Sequence, residues 1–492
     1  MNVFSALKQA KNRWDKGLAL WSSKAKFDFE GLFEAVLNFA AQLQKAGFEK
    51  GDKFFVWSFN HPAAAVGILA AWVLEGIVVP LDASTKPEDV VGLINHAQGR
   101  FLLTAPRQKE FLNRILEASS LKRVFILEDV FKSPTSGAVS LPGHEELAPA
   151  LILYTSGSTG TPKGVVLTYR HLDSPMLTLE HFQYLQPGDR LLGLAPFSHL
   201  GGVVGLLIPV WFGVPVFLME RFIPKLFLRY LGQHQITFFF VPPTVLQSLL
   251  LQPDLDPKLF KSVRLIASFG APCPPTIFKA FSERLPWINV VTGYGLSESA
   301  APNVLIPKDT PLEKKLEPGI VGKPVPWVEI KIVNDEGKGL TQGEIGEVLL
   351  KGWCVMQGYY NAPELTREAI KDGWLYTGDL GFLDKEGFLH LTGRKKEVII
   401  VGGLNVYANE VEFVIARHPK VAEVAVVGVP DGLRGEVVKA VIVPKPGVSL
   451  DSQEILNFCR TYLASYKLPR IIELRPFLPK TASGKIAKAQ LK

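Results

Sequence analysis

The chain has 492 residues, of which 47% are hydrophobic and 21% charged, and its net charge of +7 arises from 54 basic and 47 acidic side chains. This length predicts two or more domains, and the composition is that of a globular protein with a large core, which excludes a disordered chain. The positive charge is too thinly spread for a nucleic-acid-binding surface, although it allows a mild attraction to anionic substrates or to a membrane surface.

Helices and short apolar strands alternate along the first half of the chain. One unit predicts a helix, a glycine-containing loop and the strand Lys53–Trp57, and the next predicts a small-residue helix from Pro62 and the strand Ile77–Leu81. Residues 89–105 and 227–243 repeat this order. Such alternation implies parallel sheets covered by helices, and ligands bind such sheets at the carboxyl ends of the strands.

A loop rich in glycine and hydroxyl side chains, YTSGSTGTPKGVV, occupies residues 154–166 between the predicted strands Leu151–Thr155 and Val165–Leu167. Its amides and hydroxyls can donate hydrogen bonds to phosphate oxygens, and its glycines let the backbone approach a ligand. The loop does not match the Walker A pattern, because Pro162 precedes Lys163 and a glycine follows it. The dinucleotide fingerprint GxGxxG is also absent, so the sequence predicts phosphate binding of another kind.

The segment Gly201–Met219 is uncharged and almost long enough to span a bilayer. Pro209, Gly213 and Pro215 interrupt it, however. We therefore expect a buried helix followed by a buried strand, and no transmembrane segment.

The pattern changes after about Pro324, where alternating apolar residues predict a β-rich portion. Within it, we expect a hairpin-like pair of strands to flank Gly393–Lys396. A compact tail follows, with a helix, two strands, a second helix and a last strand. We therefore expect an α/β protein with two domains. The large N-terminal domain, residues 1–394, has helix-covered sheets plus a β-rich subdomain, and the C-terminal domain, residues 395–492, is small, mobile and α+β.

The glycine-rich loop resembles the signature loop of the adenylate-forming superfamily, which includes acyl-CoA synthetases, adenylation domains of peptide synthetases and luciferases. Further motifs of this family follow in order, and the resemblance extends from about residue 25 to the C-terminus. They are PFSHLGG (Pro196–Gly202), SFGAPCP (Ser268–Pro274), GYGLSES (Gly293–Ser299), YTGDLG (Tyr376–Gly381), LTGRKKEVIIVGGLNVYANEVE (Leu391–Glu412) and LPKTASGKIAK (Leu478–Lys488).

The resemblance implies sites for ATP, Mg²⁺ and CoA. Tyr294 would lie against the adenine, Asp379 would accept hydrogen bonds from the ribose hydroxyls, and Arg394 would contact ribose or phosphate. Glu298 and Thr155 would hold Mg²⁺, a hard cation that prefers oxygen ligands. The residues expected to bind ATP or CoA are Thr155, Ser156, Gly157, Ser158, Thr159, Gly160, Thr161, Lys163, Gly270, Ala271, Tyr294, Gly295, Ser297, Asp379, Arg394, Lys396, Gly402 and Gly403, the last two against the pantetheine arm of CoA.

Three residues are expected to act in catalysis. Lys485 would bridge the attacking carboxylate and the α-phosphate, Glu298 would hold the metal, and His199 would lie near the acyl carboxylate or the thioester. By resemblance, Lys396 is the pivot about which the C-terminal domain rotates between the two half-reactions.

The resemblance implies an ATP-dependent acyl-CoA synthetase that forms an acyl-adenylate and then a thioester. The expected acid is a medium- or long-chain fatty acid. The sequence leaves open an aryl- or succinylbenzoate-type acid, or an adenylation enzyme that loads a separate carrier protein. A nucleotide sensor without activity is disfavoured by the intact Lys485, Glu298 and Asp379. Candidates for the acid pocket are Phe238–Val241, Gly201, Gly202 and Gly270–Cys273.

Cys273, Cys354 and Cys459 are odd in number and widely spaced, which predicts neither a disulfide framework nor a zinc site. The N-terminal stretch lacks the apolar core of a signal peptide. We therefore expect a cytoplasmic protein. Its expected partners are a small carboxylic acid, ATP and CoA but no nucleic acid, and the sequence also allows a homodimer.

Overall fold

The computed structural model describes residues 1–106, 112–132, 139–155, 163–252, 255–480 and 486–492. The α-helices of these residues are α1 (Val3–Trp14), α2 (Phe29–Lys45), α3 (Pro62–Val73), α4 (Pro87–Ala97), α5 (Leu112–Ala118), α6 (Asp173–His181), α7 (Leu200–Phe212), α8 (Pro224–Gln233), α9 (Pro243–Leu250), α10 (Pro275–Arg284), α11 (Leu312–Lys315), α12 (Pro363–Ala369), α13 (Ala408–Ala416) and α14 (Ser452–Tyr462).

The strands of the first half are β1 (Leu18–Trp21), β2 (Lys26–Asp28), β3 (Lys53–Trp57), β4 (Ile77–Leu81), β5 (Phe101–Thr104), β6 (Arg123–Ile126), β7 (Pro149–Thr155), β8 (Lys163–Thr168), β9 (Leu191–Gly193), β10 (Val216–Leu218), β11 (Phe238–Val241), β12 (Leu265–Ser268) and β13 (Asn289–Tyr294). Those of the second half are β14 (Val304–Leu305), β15 (Ile320–Pro324), β16 (Glu329–Val333), β17 (Gly346–Lys351), β18 (Gly358–Tyr359), β19 (Ile370–Lys371), β20 (Trp374–Leu383), β21 (Leu389–Arg394), β22 (Val398–Val401), β23 (Leu404–Tyr407), β24 (Val421–Asp431), β25 (Gly435–Pro444) and β26 (Ile471–Leu474).

One sheet carries the base of the glycine-rich loop. Its strand order is β18-β8-β7-β4-β3-β5-β6, and the strands from β7 to β6 run parallel. β7 and β8 are antiparallel, and their outermost pair is Thr155 with Lys163. The loop between these two residues therefore joins a hairpin at one edge of the sheet, and the predicted strands on either side of it are confirmed.

A second sheet follows the order β16-β17-β20-β21-β15-β14-β13-β12-β11-β9-β10-β1-β2, with β19 beside β20. The strands from β13 to β1 are parallel, and those from β13 to β16 are antiparallel. The predicted β-rich portion therefore continues the hydrogen bonding of the parallel strands. This continuity places β20 and β21 in the same sheet as β13.

Helices α3 and α7 explain how the two large sheets pack together. Every residue of α3 is buried, and Trp72 of α3 and Leu206 of α7 share one hydrophobic cluster with Phe54 of the first sheet and Phe238 of the second. A helix that is apolar on all sides needs neighbours on all sides, which a place between two sheets supplies. The predicted buried helix and strand within Gly201–Met219 are thus confirmed as α7 and β10. In the part of the chain that the structure describes, no helix has the length and apolarity to cross a membrane.

A third, smaller sheet has the order β23-β22-β25-β24, with β26 beside β25, and α13 and α14 pack on it. The hairpin expected around Gly393–Lys396 is wrong. β21 pairs with β20 and β15, whereas β22 pairs with β23 and β25, so the short 3-10 turn Lys395–Glu397 passes the chain from one sheet to another. The hairpin lies one turn later, because Gly402 and Gly403 have φ values of +57° and +83°, the conformation that a two-residue hairpin turn requires.

Candidate active site

Three residues predicted to bind the nucleotide meet where β13, β20 and β21 come together. Tyr294 ends β13, while Asp379 and Arg394 are register partners on β20 and β21. The Tyr294 hydroxyl donates to Asp379 Oδ2 at 2.9 Å, and Arg394 Nε lies 3.0 Å from Asp379 Oδ1. Asp379 is buried, whereas the Arg394 side chain is 56% exposed. The Asp379 carboxylate is therefore held by both Tyr294 and Arg394, and the Arg394 guanidinium remains accessible to a ligand.

The charged groups of this cluster shift one another's pKa values. The carboxylate of Asp379 is the largest cause of a raised pKa at Arg394, and Glu298 makes a smaller contribution in the same direction. Burial, reinforced by Asp379, raises the pKa of Tyr294 well above its usual value, so its hydroxyl remains a neutral donor. A carboxylate with two acceptor oxygens suits a vicinal diol such as ribose.

A second cluster lies at the base of the glycine-rich loop and joins Lys163, Tyr359 and Glu298. The Tyr359 hydroxyl donates to Glu298 Oε1 at 3.0 Å, and the Lys163 ammonium lies over the Tyr359 ring, 5.1 Å from its centroid. The register of β18 and β8 places these residues, because Tyr359 pairs with Val165. Residues far apart in the chain thus bring a cation and a carboxylate beside the loop.

The Glu298 carboxylate of this cluster is of the chemical type that fits a magnesium ion. Glu298 is half-buried at the 3-10 turn Ser297–Ser299, and one of its carboxylate oxygens already accepts a hydrogen bond from Tyr359. The second carboxylate oxygen is a hard oxygen donor of the kind that Mg²⁺ prefers. Thr155, the other predicted ligand, ends β7, and its hydroxyl donates to the Lys163 carbonyl at 3.5 Å. Lys163, the register partner of Thr155, adds a positive charge for phosphate oxygens. Ser156, Gly157, Ser158, Thr159, Gly160 and Thr161 lie outside the described residues.

The loops after β12 and β13 carry four further predicted residues. Gly270 and Ala271 follow β12, and Gly270 is exposed with φ +89°, so that a Cβ there would meet no atom within 4 Å. Gly295 and Ser297 follow β13. A Cβ on Gly295 would lie 2.5 Å from the Cβ of Ala301, so only glycine fits this position. Both loops lie at the carboxyl ends of adjacent parallel strands, where the sequence predicted a ligand.

Several residues predicted for the acid pocket lie near the start of α7. His199 precedes the helix, and its backbone carbonyl accepts a hydrogen bond from the Gly202 N–H at 2.9 Å. A Cβ on Gly202 would lie 2.1 Å from the carbonyl oxygen of Pro196. A Cβ on Gly201 would lie 3.5 Å from the ring of Phe240, which is itself buried on β11. The structure thus brings Gly201 close to the Phe240 ring.

The remaining predicted residues follow Arg394 in the chain. Lys396 is exposed in the turn between β21 and β22. Gly402 and Gly403 form the exposed β22–β23 turn, and a Cβ on either would meet no atom within 4 Å. Lys485 lies outside the described residues, although Lys480 and Ile486 on either side of it form a β-bridge.

Sequence reasoning missed Tyr359. Its short motif, GYYN, carries two adjacent tyrosines in a polar stretch, and such tyrosines are ordinary in an edge strand. Only the pairing of β18 with β8 shows that the first of them faces Glu298 and Lys163.

Residues 7–360 match the family model described as AMP-binding enzyme, and residues 410–485 match that of the AMP-binding enzyme C-terminal domain. A long-chain-fatty-acid–CoA ligase of Bacillus subtilis is 31% identical, with 95% of this chain and 90% of the relative aligned. A 2-succinylbenzoate–CoA ligase of Bacillus licheniformis is 32% identical, with 99% and 98% aligned.

Among solved structures, ATP-bound MatB from Rhodopseudomonas palustris has a TM-score of 0.91 at 28% identity, and the alignment covers 100% of this chain and 98% of that one. The agreement spans the large sheets and the C-terminal portion. The chain therefore belongs to the AMP-binding enzyme family, in the adenylate-forming superfamily that its motifs indicated.

Proposed function

We propose that this protein is an AMP-forming acid–CoA ligase. It activates a carboxylic acid as an acyl-adenylate with release of pyrophosphate, and it then transfers the acyl group to CoA to give acyl-CoA and AMP. The observation that carries the proposal is the pair of side-chain clusters joined by the short segment from Tyr294 to Glu298. The cluster of Asp379, Tyr294 and Arg394 suits a ribose. The cluster of Glu298, Tyr359 and Lys163 suits a metal-bound phosphate chain.

The chemistry requires adenylation because a carboxylate is a poor electrophile. A carboxylate oxygen attacks the α-phosphorus of ATP, and the bond to pyrophosphate breaks. Glu298 and Thr155 would hold Mg²⁺, which would supply positive charge for the phosphate oxygens. Asp379 and Tyr294 hold the nucleoside, and Lys163 attracts the departing phosphates. A thiol then attacks the acyl carbonyl and AMP leaves.

Lys485 completes the adenylation site in this proposal, as the cation that bridges the attacking carboxylate and the α-phosphate. Support comes from its neighbour Lys488, whose ammonium lies 2.8 Å from Glu412 and 3.1 Å from Glu397. Burial opposes the charge of Lys488, but the two carboxylates outweigh it and raise its pKa. The segment that follows Lys485 is thus fixed to α13 and to the turn beside Lys396.

Lys485→Ala should abolish acid-dependent exchange between ATP and pyrophosphate and spare thioester formation from a synthetic acyl-adenylate. Equal losses in both half-reactions would contradict this role for Lys485.

We propose two domains, residues 1–394 and 395–492, with the hinge near Lys396. The support is the change of sheet between β21 and β22. Rotation at this turn would exchange Lys485 for Gly402 and Gly403 at the active site. We place the activity in the cytoplasm, since free thiols at Cys273, Cys354 and Cys459 suit a reducing compartment.

A medium- or long-chain fatty acid is the proposed substrate. The Phe240 ring beside Gly201 suits an alkyl chain, and the Bacillus subtilis relative is named for long-chain fatty acids. An aryl acid is the second candidate, because the Phe240 ring also suits an aromatic partner and the Bacillus licheniformis relative is named for 2-succinylbenzoate. A third candidate is transfer to a phosphopantetheinyl carrier protein instead of CoA.

A pyrophosphate-release screen over fatty, aryl and short-chain acids, with and without CoA, tests the function and separates these substrates. We expect acid-dependent release of pyrophosphate, and acyl-CoA only when CoA is present. Phe240→Ala should shift the preference toward longer or bulkier acids if Phe240 closes the pocket. Transfer to a carrier protein but not to CoA would select the third candidate, and no release with any acid would refute the proposed function.

A further inference from the structure

We propose that Tyr359 is a positioning residue of the active site. It orients the Glu298 carboxylate toward the cation and holds the Lys163 ammonium beside it until phosphate arrives. This inference rests on the proposed function, because it assumes that Glu298 serves Mg²⁺ and that Lys163 serves phosphate.

The backbone fixes Tyr359 at this place. The Gln357 N–H donates to the Val166 carbonyl at 3.0 Å, and the Tyr360 N–H donates to the Gly164 carbonyl at 2.7 Å. These two bonds bracket Tyr359 and tie it to β8, the strand that begins at Lys163. Tyr359 therefore moves with the base of the glycine-rich loop.

Glu298 is held by the same short segment at two points. Its backbone carbonyl accepts a hydrogen bond from the Met356 N–H at 2.8 Å, and its side chain accepts one from Tyr359 at 3.0 Å. One carboxylate oxygen is thereby engaged, which turns the other outward for a cation. Groups that hydrogen-bond to a metal's ligands in this way commonly fix the orientation of those ligands.

The neighbouring tyrosine has no part in this arrangement. Because successive side chains of a strand point to opposite faces, Tyr360 faces away from Glu298. Its ring packs edge-on against His96, with centroids 5.7 Å apart, and its hydroxyl donates to the Ala97 carbonyl at 3.4 Å. Tyr360 is therefore a matched control for Tyr359.

The Tyr359 phenol stays protonated and so remains a donor. Burial, reinforced by Glu298, raises its pKa above the usual range. Its ring also attracts the Lys163 ammonium, with a strength well below that of an ion pair with phosphate in a dry site. Lys163 can thus leave the ring for a phosphate, while the hydroxyl keeps Glu298 in place.

The test measures ATP binding by calorimetry at a series of Mg²⁺ concentrations, for wild type, Tyr359→Phe and Tyr360→Phe. Tyr359→Phe keeps the ring and removes only the hydroxyl. We expect it to raise the Mg²⁺ concentration for half-maximal binding by about tenfold to about a hundredfold. We expect Tyr360→Phe to match wild type, and ATP binding in EDTA to be unchanged in both variants.

Three results would overturn the inference. One is a Tyr359→Phe titration that coincides with wild type, and another is an equal shift in Tyr360→Phe, which would indicate a general effect on β18. The third is a Tyr359→Phe shift of the same size in a Glu298→Gln background, because the effect must pass through Glu298. Wild-type ATP binding that ignores Mg²⁺ would instead refute the metal site of the proposed function.

Discussion

Asp379→Asn is the sharpest test of the nucleoside site. The buried carboxylate accepts from Tyr294 and pairs with Arg394 through different oxygens. Asparagine keeps the shape of the aspartate side chain and one acceptor oxygen. It loses the negative charge, and an NH₂ group that can only donate hydrogen bonds replaces the second oxygen. A hydrogen bond to a charged group contributes about 1.5 to 3 kcal/mol. Loss of one such bond to a ribose hydroxyl therefore weakens nucleotide binding by about tenfold to about a hundredfold.

AMP is the better ligand for this measurement than ATP, because it lacks the phosphates that Lys163 and Mg²⁺ would hold. Calorimetry with AMP and with 2′-deoxy- and 3′-deoxy-AMP gives the cost of removing each hydroxyl. Wild type should lose affinity for both deoxy ligands. Asp379→Asn should bind AMP weakly and discriminate much less among the three ligands.

Asp384→Asn is the matched control. Asp384 lies at the far end of the same β20–β21 hairpin, 2.7 Å from the Lys314 ammonium, and that ion pair helps to lower its pKa to about 2 against the opposing effect of burial. This variant should lose stability and keep wild-type affinity for AMP. If Asp379→Asn retains the full discrimination against the deoxy ligands, Asp379 does not hold the ribose. Equal weakening in both variants would show that the effect is general to the hairpin.

Three further predictions concern stability. Lys488→Met leaves the partly buried carboxylate of Glu412 without its cation and should lower the free energy of unfolding by up to about 3 kcal/mol, measured by urea denaturation. Burial of Lys315 lowers its pKa from 10.5 to about 8. Between about pH 8 and pH 10.5 the unfolded chain therefore binds more protons than the folded one, and the free energy of unfolding rises with pH across this range. Lys315→Met should remove up to about 3 kcal/mol of that rise, and an unchanged pH profile would contradict the burial of a charged amine. Gly202→Ala, whose Cβ would lie 2.1 Å from a carbonyl oxygen, should lower the melting temperature more than Gly201→Ala, and the reverse order would contradict the packing described for α7.

The sequence predicted the parallel parts of the fold well, because their signals are local. The strands Lys53–Trp57 and Ile77–Leu81 were bounded correctly, since short apolar runs end at polar or glycine-rich turns. The hairpin around Gly393–Lys396 was wrong for the opposite reason. A sequence pattern that predicts two consecutive strands does not show whether those strands pair with each other. Here β21 and β22 pair with strands of two different sheets.

The chain by itself determined the family, the motif order and the types of chemical group available, because these depend on residue identity and spacing. The tertiary structure decided which groups meet. Tyr294 and Asp379 are 85 positions apart and share a hydrogen bond, and Tyr359 lies 61 positions beyond the Glu298 that it holds. Such contacts arise from the register of strands distant in sequence. Pairing energies between those strands depend on the whole sheet, which no local stretch of the sequence encodes.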